Sequence, residues 1–163
     1  MKNTKLLLFL FVFTFIANAL CLESYTLTSP DKKISVNFWL TADGEPVYSV
    51  SHSGATVLKQ SKLGIVRSDA DFSTSLTFDS ASQENAVSDR YTLLHGKRLT
   101  CQYTANERVF SLKNVNSKVM EIIFQVSNDG VAFRYHFPET TDKAVTIFKE
   151  TSSWHFDGET VGK

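Results

Sequence analysis

From Val119 to Phe137 the apolar side chains fall on every second position in two consecutive runs. Met120, Ile122, Phe124 and Val126 share one face of the first run, and Val131, Phe133, Tyr135 and Phe137 share one face of the second. A period of two belongs to extended strands, because a helix repeats its faces every ~3.6 residues. Two such runs around Asn128-Asp129-Gly130 therefore predict an antiparallel hairpin. If Asp129-Gly130 is a two-residue turn, Val126 lies opposite Phe133, Phe124 opposite Tyr135 and Ile122 opposite Phe137. Every apolar residue then meets an apolar partner, whereas a one-residue slip would pair each with a polar one. Asp-Gly also suits a type I′ turn, in which both central positions need positive φ.

The same alternation recurs along the chain. Ile34, Val36, Phe38 and Leu40 alternate with Ser35, Asn37 and Trp39, and Asp43-Gly44 reads as the turn that follows. Val47 to Ser51, Thr56 to Leu58, Leu63 to Val66, Phe72 to Phe78, Tyr91 to Leu94, Leu99 to Tyr103 and Val109 to Leu112 are further short strand candidates. The polar stretch Ser80 to Asp89 reads as a surface loop, and His155 to Lys163 carries no strand pattern. Short strands at this spacing, broken by Gly, Asp, Asn and Ser, predict an all-β sandwich or barrel. No window sustains a helical repeat over three turns.

The amino terminus has a different character. Met1 to Lys5 carries two lysines and no acid, Leu6 to Ile16 is apolar apart from Thr14, and Ala17-Asn18-Ala19 supplies small residues. This is the pattern of a secretory signal peptide, and an apolar run of eleven residues is short of the roughly 20 that span a bilayer. Residues 1–19 are therefore expected to leave as a leader, with cleavage after Cys21 as an alternative and lipid attachment at Cys21 disfavoured by the bulk of Leu20. The destination is periplasmic or extracellular. Residues 20–163 then form one domain of ordinary size, with no membrane span of its own.

Charge and cysteine usage exclude several classes of function. The 17 basic residues balance 17 acidic ones, and loss of Lys2 and Lys5 leaves 15 against 17, a net charge near −2. Such balance argues against a nucleic-acid or anionic-membrane partner. Cys101 alternates with Leu99 and Tyr103, which predicts a buried unpaired thiol rather than a disulfide with Cys21. No Asn-x-Ser/Thr acceptor for an N-glycan occurs.

No catalytic constellation can be read. His52, His95, His136 and His155 lack a second ligand at metal-binding spacing, and His136 alternates with Arg134 on the polar side of the hairpin. Gly-x-Ser-x-Gly and phosphate-loop motifs are missing from the sequence. Asp69 and Asp71 could form a paired-carboxylate site, but two acids beside a strand start read first as a solvated turn. Asp129 is taken by its turn, and Glu139, after Pro138, reads as a strand exit. Of the thirteen Phe, several fall in the leader and most others fit a core. Trp39 stands apart, on the face opposite Ile34, Val36 and Phe38. There it could stack on a sugar ring, bury against a neighbouring domain or join a second layer of packing.

Several stretches together resemble the N-terminal domain of glycoside hydrolase family 97. They are Leu27-Thr28-Ser29-Pro30-Asp31 with Lys33-Ile34-Ser35-Val36, and Tyr48-Ser49-Val50-Ser51 running through Gly54, Val57-Leu58 and Ser61 to Leu63-Gly64. The third is Asn128-Asp129-Gly130-Val131-Ala132-Phe133-Arg134-Tyr135 with Phe137-Pro138-Glu139, and the likeness runs from about Tyr25 to Trp154. The resemblance implies a β-sandwich of the galactose-mutarotase type, a supersandwich that is incomplete here at its C-terminus. Members of the family are exported bacterial enzymes, mostly calcium-dependent α-glucosidases and α-galactosidases. In them the sandwich packs against a (β/α)8 barrel that carries the acid and base carboxylates. The sandwich itself lends a calcium-binding Glu from a stretch near its C-terminal end. Residues 20–163 are expected to stop before that stretch and before the barrel, so no metal ligand is carried over to Trp154 or Glu159. The implied function is a non-catalytic domain bracing a barrel. The alternative is a free-standing module that binds oligo- or polysaccharide or another partner, with Trp39 as candidate platform.

Overall fold

The computed structural model describes residues 23–95, 99–156 and 158. The expected leader with Cys21 and its cleavage site, and Glu159 near the other end, lie outside the described residues. The described residues form strands, with no helix among them. The first sheet is a meander of β1 (Ser24–Thr28), β2 (Ile34–Leu40), β3 (Pro46–His52) and β4 (Ala55–Lys62), paired in that order. Next come β5 (Ile65–Arg67) and the two-residue β6 (Ala70–Asp71). The second sheet holds β7 (Thr77–Ala81), β8 (Asn85–Thr92), β9 (Thr100–Lys113), β10 (Val119–Ser127) and β11 (Val131–His136). Its order is β11-β10-β9-β7, and β8 also pairs with β9.

These two sheets close face to face, as the alternation predicts. Leu27, Val36, Phe38, Tyr48 and Val50 from the first meet Phe110, Leu112, Met120, Ile122, Phe124 and Val126 from the second in one buried cluster. The Phe38 ring lies 4.6 Å from that of Phe110 and 5.6 Å from that of Phe124, centroid to centroid. Each such side chain contributes about 2 to 3 kcal/mol by leaving water. The fold is thus an all-β sandwich.

The central hairpin forms with its faces as expected but in a register shifted by two. Val126 pairs with Val131, Phe124 with Phe133 and Ile122 with Tyr135. The turn is centred on Asn128-Asp129, and none of Asn128, Asp129 and Gly130 has positive φ, so it is not the expected type I′ turn. Ser127 sets the difference. Its N–H donates to the Gly130 carbonyl at 2.9 Å, and its hydroxyl accepts the N–H groups of Asp129 and Gly130 at 3.2 Å each. Asn128 is held from outside, since its side-chain oxygen accepts the Asp31 N–H at 3.0 Å. A shift of two preserves the inward set, because side chains alternate with a period of two.

Other expectations need correction. Leu99 to Tyr103 and Val109 to Leu112 are not separate strands but parts of the 14-residue β9. The stretch Ser80 to Asp89 is not a loop: β7 continues to Ala81 and β8 begins at Asn85. Its polar residues pair by backbone and are mostly exposed, so they leave no apolar alternation. Phe72 to Phe78 is mostly irregular, although Phe72 is fully buried. Cys101 is unpaired but only half-buried, because this end of β9 lies beyond the core cluster.

The C-terminal segment supplies an element the sequence does not announce. β12 (Ile147–Glu150) pairs with β5. The chain then continues beside the outer edge of β4, where Thr151 N–H donates to Gly64, Ser153 N–H to Lys62, and Lys59 N–H to the His155 carbonyl, at 2.8 to 2.9 Å. Phe156 adds an isolated bridge to Leu58. This ribbon supplies β4 with a partner on the side away from β3.

Candidate functional site

The acidic pair separates into two local roles. Asp69 accepts Arg67 Nε at 2.9 Å, Arg67 Nη2 at 2.8 Å and Lys118 Nζ at 2.5 Å. Glu139 also binds the Arg67 guanidinium, whose side chain is 4% exposed and lies 4.4 Å from the Phe137 ring centroid. Hydrogen bonds from Arg67 and then Lys118 hold the Asp69 carboxyl well below the usual carboxylate range. Such a group cannot act as a proton donor near neutrality. Asp71 accepts the N–H and hydroxyl of Ser73, at 2.8 and 2.6 Å. The cluster ties β5 and β6 to the exit from β11, a structural arrangement.

The histidines are equally dispersed. His136 Nδ1 lies 2.8 Å from Glu121 across an exposed strand pair, and His155 Nδ1 lies 2.8 Å from the Gln60 carbonyl. His52 and His95 are exposed. No three of His, Cys, Asp and Glu converge among the described residues.

Two tryptophans face solvent in different settings. Trp39 sits on the outward face of β2, between Ser24 and Val47 in the ladder. It is half-buried and lines a shallow depression with Ser24, Asn37 and Ser49. Trp154, on the ribbon, is 55% exposed. It stands at a cleft of about 420 Å³ where the two sheets part, with Tyr48, Val50, Val131 and Phe133 on the walls and His52 and Asp129 also lining it. Tyr48 donates its hydroxyl to the Ser153 carbonyl at 3.2 Å, and burial pushes its phenol up to about 12. The cleft has no local signature in the sequence, because β3, the central hairpin and the ribbon each supply part of it.

Apolar side chains are also exposed at two other places. Tyr91, Leu93, Leu94 and Leu99 sit at and beside the outer end of the β8–β9 pair, and Ile147 and Phe148 lie on β12.

Residues 27–161 match the family described as Glycosyl-hydrolase 97 N-terminal. The chain belongs to that family. A similar curated protein is a probable retaining alpha-galactosidase of Streptomyces bingchenggensis (strain BCW-1), 28% identical over 141 residues. That alignment covers 81% of this chain and 22% of the relative. Among solved structures, a beta-arabinopyranosidase superposes with a TM-score of 0.75 at 31% identity, covering 82% of this chain and 21% of that one. A glycoside hydrolase family 97 enzyme from Pseudoalteromonas sp. strain K8, in complex with panose, superposes at 0.71 with 25% identity, covering 82% and 20%. The family 97 N-terminal sandwich thus spans about a fifth of the length of each relative. It corresponds to part of their N-terminal domain and not to a catalytic one.

Proposed function

We propose that this sandwich is the exported, non-catalytic brace of a glycoside hydrolase and seats against a (β/α)8 catalytic barrel. One observation carries the reading: a family 97 N-terminal match over residues 27–161 that leaves exposed apolar side chains on β12 and near the outer end of the β8–β9 pair. Apolar surface of this kind on a small domain marks a site of association. The basic start, apolar run and small residues of positions 1–19 support export to the periplasm or beyond, with cleavage between Ala19 and Cys21. Calcium is proposed only for the whole enzyme, with ligands outside the described residues. Oligosaccharide is proposed as its substrate class, supported by the panose and acarbose held by the Pseudoalteromonas relatives. Under the alternative of a free-standing carbohydrate-binding module, Trp39 is the outward aromatic on which a sugar would stack.

Co-expression tests the brace. The sandwich, produced with the remainder of a family 97 enzyme stripped of the matching segment, is expected to co-purify and to raise the melting temperature of that remainder. Leu94→Asp and Phe148→Asp are expected to weaken the complex at least tenfold, a loss of about 1.4 kcal/mol. Separate migration of the two wild-type pieces on size exclusion would remove the proposal.

A further inference from the structure

We infer that the cleft beside Trp154 is a binding site for a pyranose ring, distinct from both the Trp39 depression and the docking surface. Its volume of about 420 Å³ lies within the range of about 300–1,000 Å³ typical of small-ligand sites. Tyr48 and Phe133, with centroids 5.8 Å apart, give it an aromatic wall, and the exposed Trp154 indole offers a flat surface at its edge. Three of the residues that line it carry polar side-chain groups: the His52 imidazole, the Asp129 carboxylate and the Trp154 indole N–H. None of the three has a hydrogen-bond or ionic partner among the described residues.

That combination selects the ligand class. A purely apolar segment would fill the wall and leave the carboxylate and imidazole unused. A pyranose presents a C–H face to an aromatic plate and a rim of hydroxyls that donate to a carboxylate and exchange hydrogen bonds with imidazole. Asp129 is placed by the turn that Ser127 and Asn128 hold, and Trp154 by the ribbon hydrogen bonds on either side of it. The backbone that carries Asp129 and Trp154 is thus held before the sugar arrives, which lowers the cost of binding. The site does not depend on the bracing reading, since none of its polar groups belongs to the exposed apolar side chains described above.

The test uses the two tryptophans of the chain, each of which gives one indole N–H resonance. In ¹⁵N-labelled protein the two are assigned with Trp39→Phe and Trp154→Phe, and maltotriose is added to about 20 mM, where a Kd near 1 mM approaches saturation. A saturable movement of the Trp154 resonance, with Trp39 unmoved, is expected. Asp129→Asn, an exposed turn substitution, is expected to weaken binding about tenfold with the rest of the spectrum unchanged, and Trp154→Ala to abolish the sugar-dependent shifts of the backbone amides that line the cleft. A static Trp154 signal, or movement of Trp39 alone, overturns the inference. Trp154 shifts that follow protein concentration without sugar assign the cleft to a second copy of the chain and overturn it equally. Failure of the co-expression experiment would leave this titration untouched, so the two ideas fall separately.

Discussion

Arg67 alone among the described charged residues is buried, and two carboxylate neighbours explain why it can be. Its guanidinium spreads bidentate bonds to Asp69, a bond to Glu139 and a face over Phe137, geometry that a lysine ammonium cannot copy. Arg67→Ala should therefore lower stability by about 2 to 3 kcal/mol in urea unfolding, and Arg67→Lys should recover less than half of that. Asp69 adds a pH dependence whose sign follows from its depressed folded-state pKa. The unfolded chain binds the proton more readily, so the contribution is full above the usual carboxylate pKa of about 4 and is lost as pH falls further. Wild type should lose stability between about pH 4 and pH 2 more steeply than Asp69→Asn, as read by melting temperature across that range. Little of this was legible beforehand. Asp69 lies in a turn as expected while Asp71 lies in β6, and Lys118 is 49 positions from Asp69 and Glu139 is 72 from Arg67, distances over which no local pattern carries information.

Elements were legible where alternation persisted and lost where it did not. β2 and the faces of β10 and β11 are plain in the sequence because one side of each packs on the core. β8 has an exposed or half-exposed face on both sides, and β12 is exposed throughout, so neither leaves a periodic trace. The hairpin register failed for a chemical reason: a serine one position before Asn128 supplied the turn with an acceptor that the Asp-Gly preference ignores. Two glycines give opposite tests of this account. Gly130 has no positive φ and open space where a Cβ would stand, so Gly130→Ala should change stability by less than about 0.5 kcal/mol. A type I′ turn would have penalised it far more. Gly64 has φ +132°, and a Cβ there would stand 2.7 Å from Ser73 Cα and 2.8 Å from the Phe72 carbonyl oxygen. Gly64→Ala should cost at least about 2 kcal/mol, or prevent folding, in the same urea assay. Ser127→Ala should cost about 1 kcal/mol by leaving two turn N–H groups without their acceptor.

Across the whole molecule, the ribbon joins what the two meanders leave apart. It runs beside β4 and β5, and its Ser152 hydroxyl lies 2.7 Å from the Tyr135 hydroxyl, which accepts the Gly64 N–H at 2.8 Å. One hydroxyl group thus links the second sheet, the β4–β5 junction and the C-terminal segment. Deleting residues 147–163 should leave the β4 edge open and produce self-association visible by light scattering, together with a broadened melt. The candidate cleft was hidden in the sequence for the same reason that this junction was: its walls meet only after distant segments close. That separation also governs how quickly the molecule can form. The side-chain hydrogen bonds that tie the ribbon to residues 60–63 join positions 88 to 95 apart, so everything between must be in place before they can form. Loop closure of that span comes before its contacts give any return, and refolding is expected on the millisecond-to-second scale of all-β domains rather than in microseconds. During synthesis, the outer edge of β4 therefore stays without its second partner until residues 151–155 have emerged.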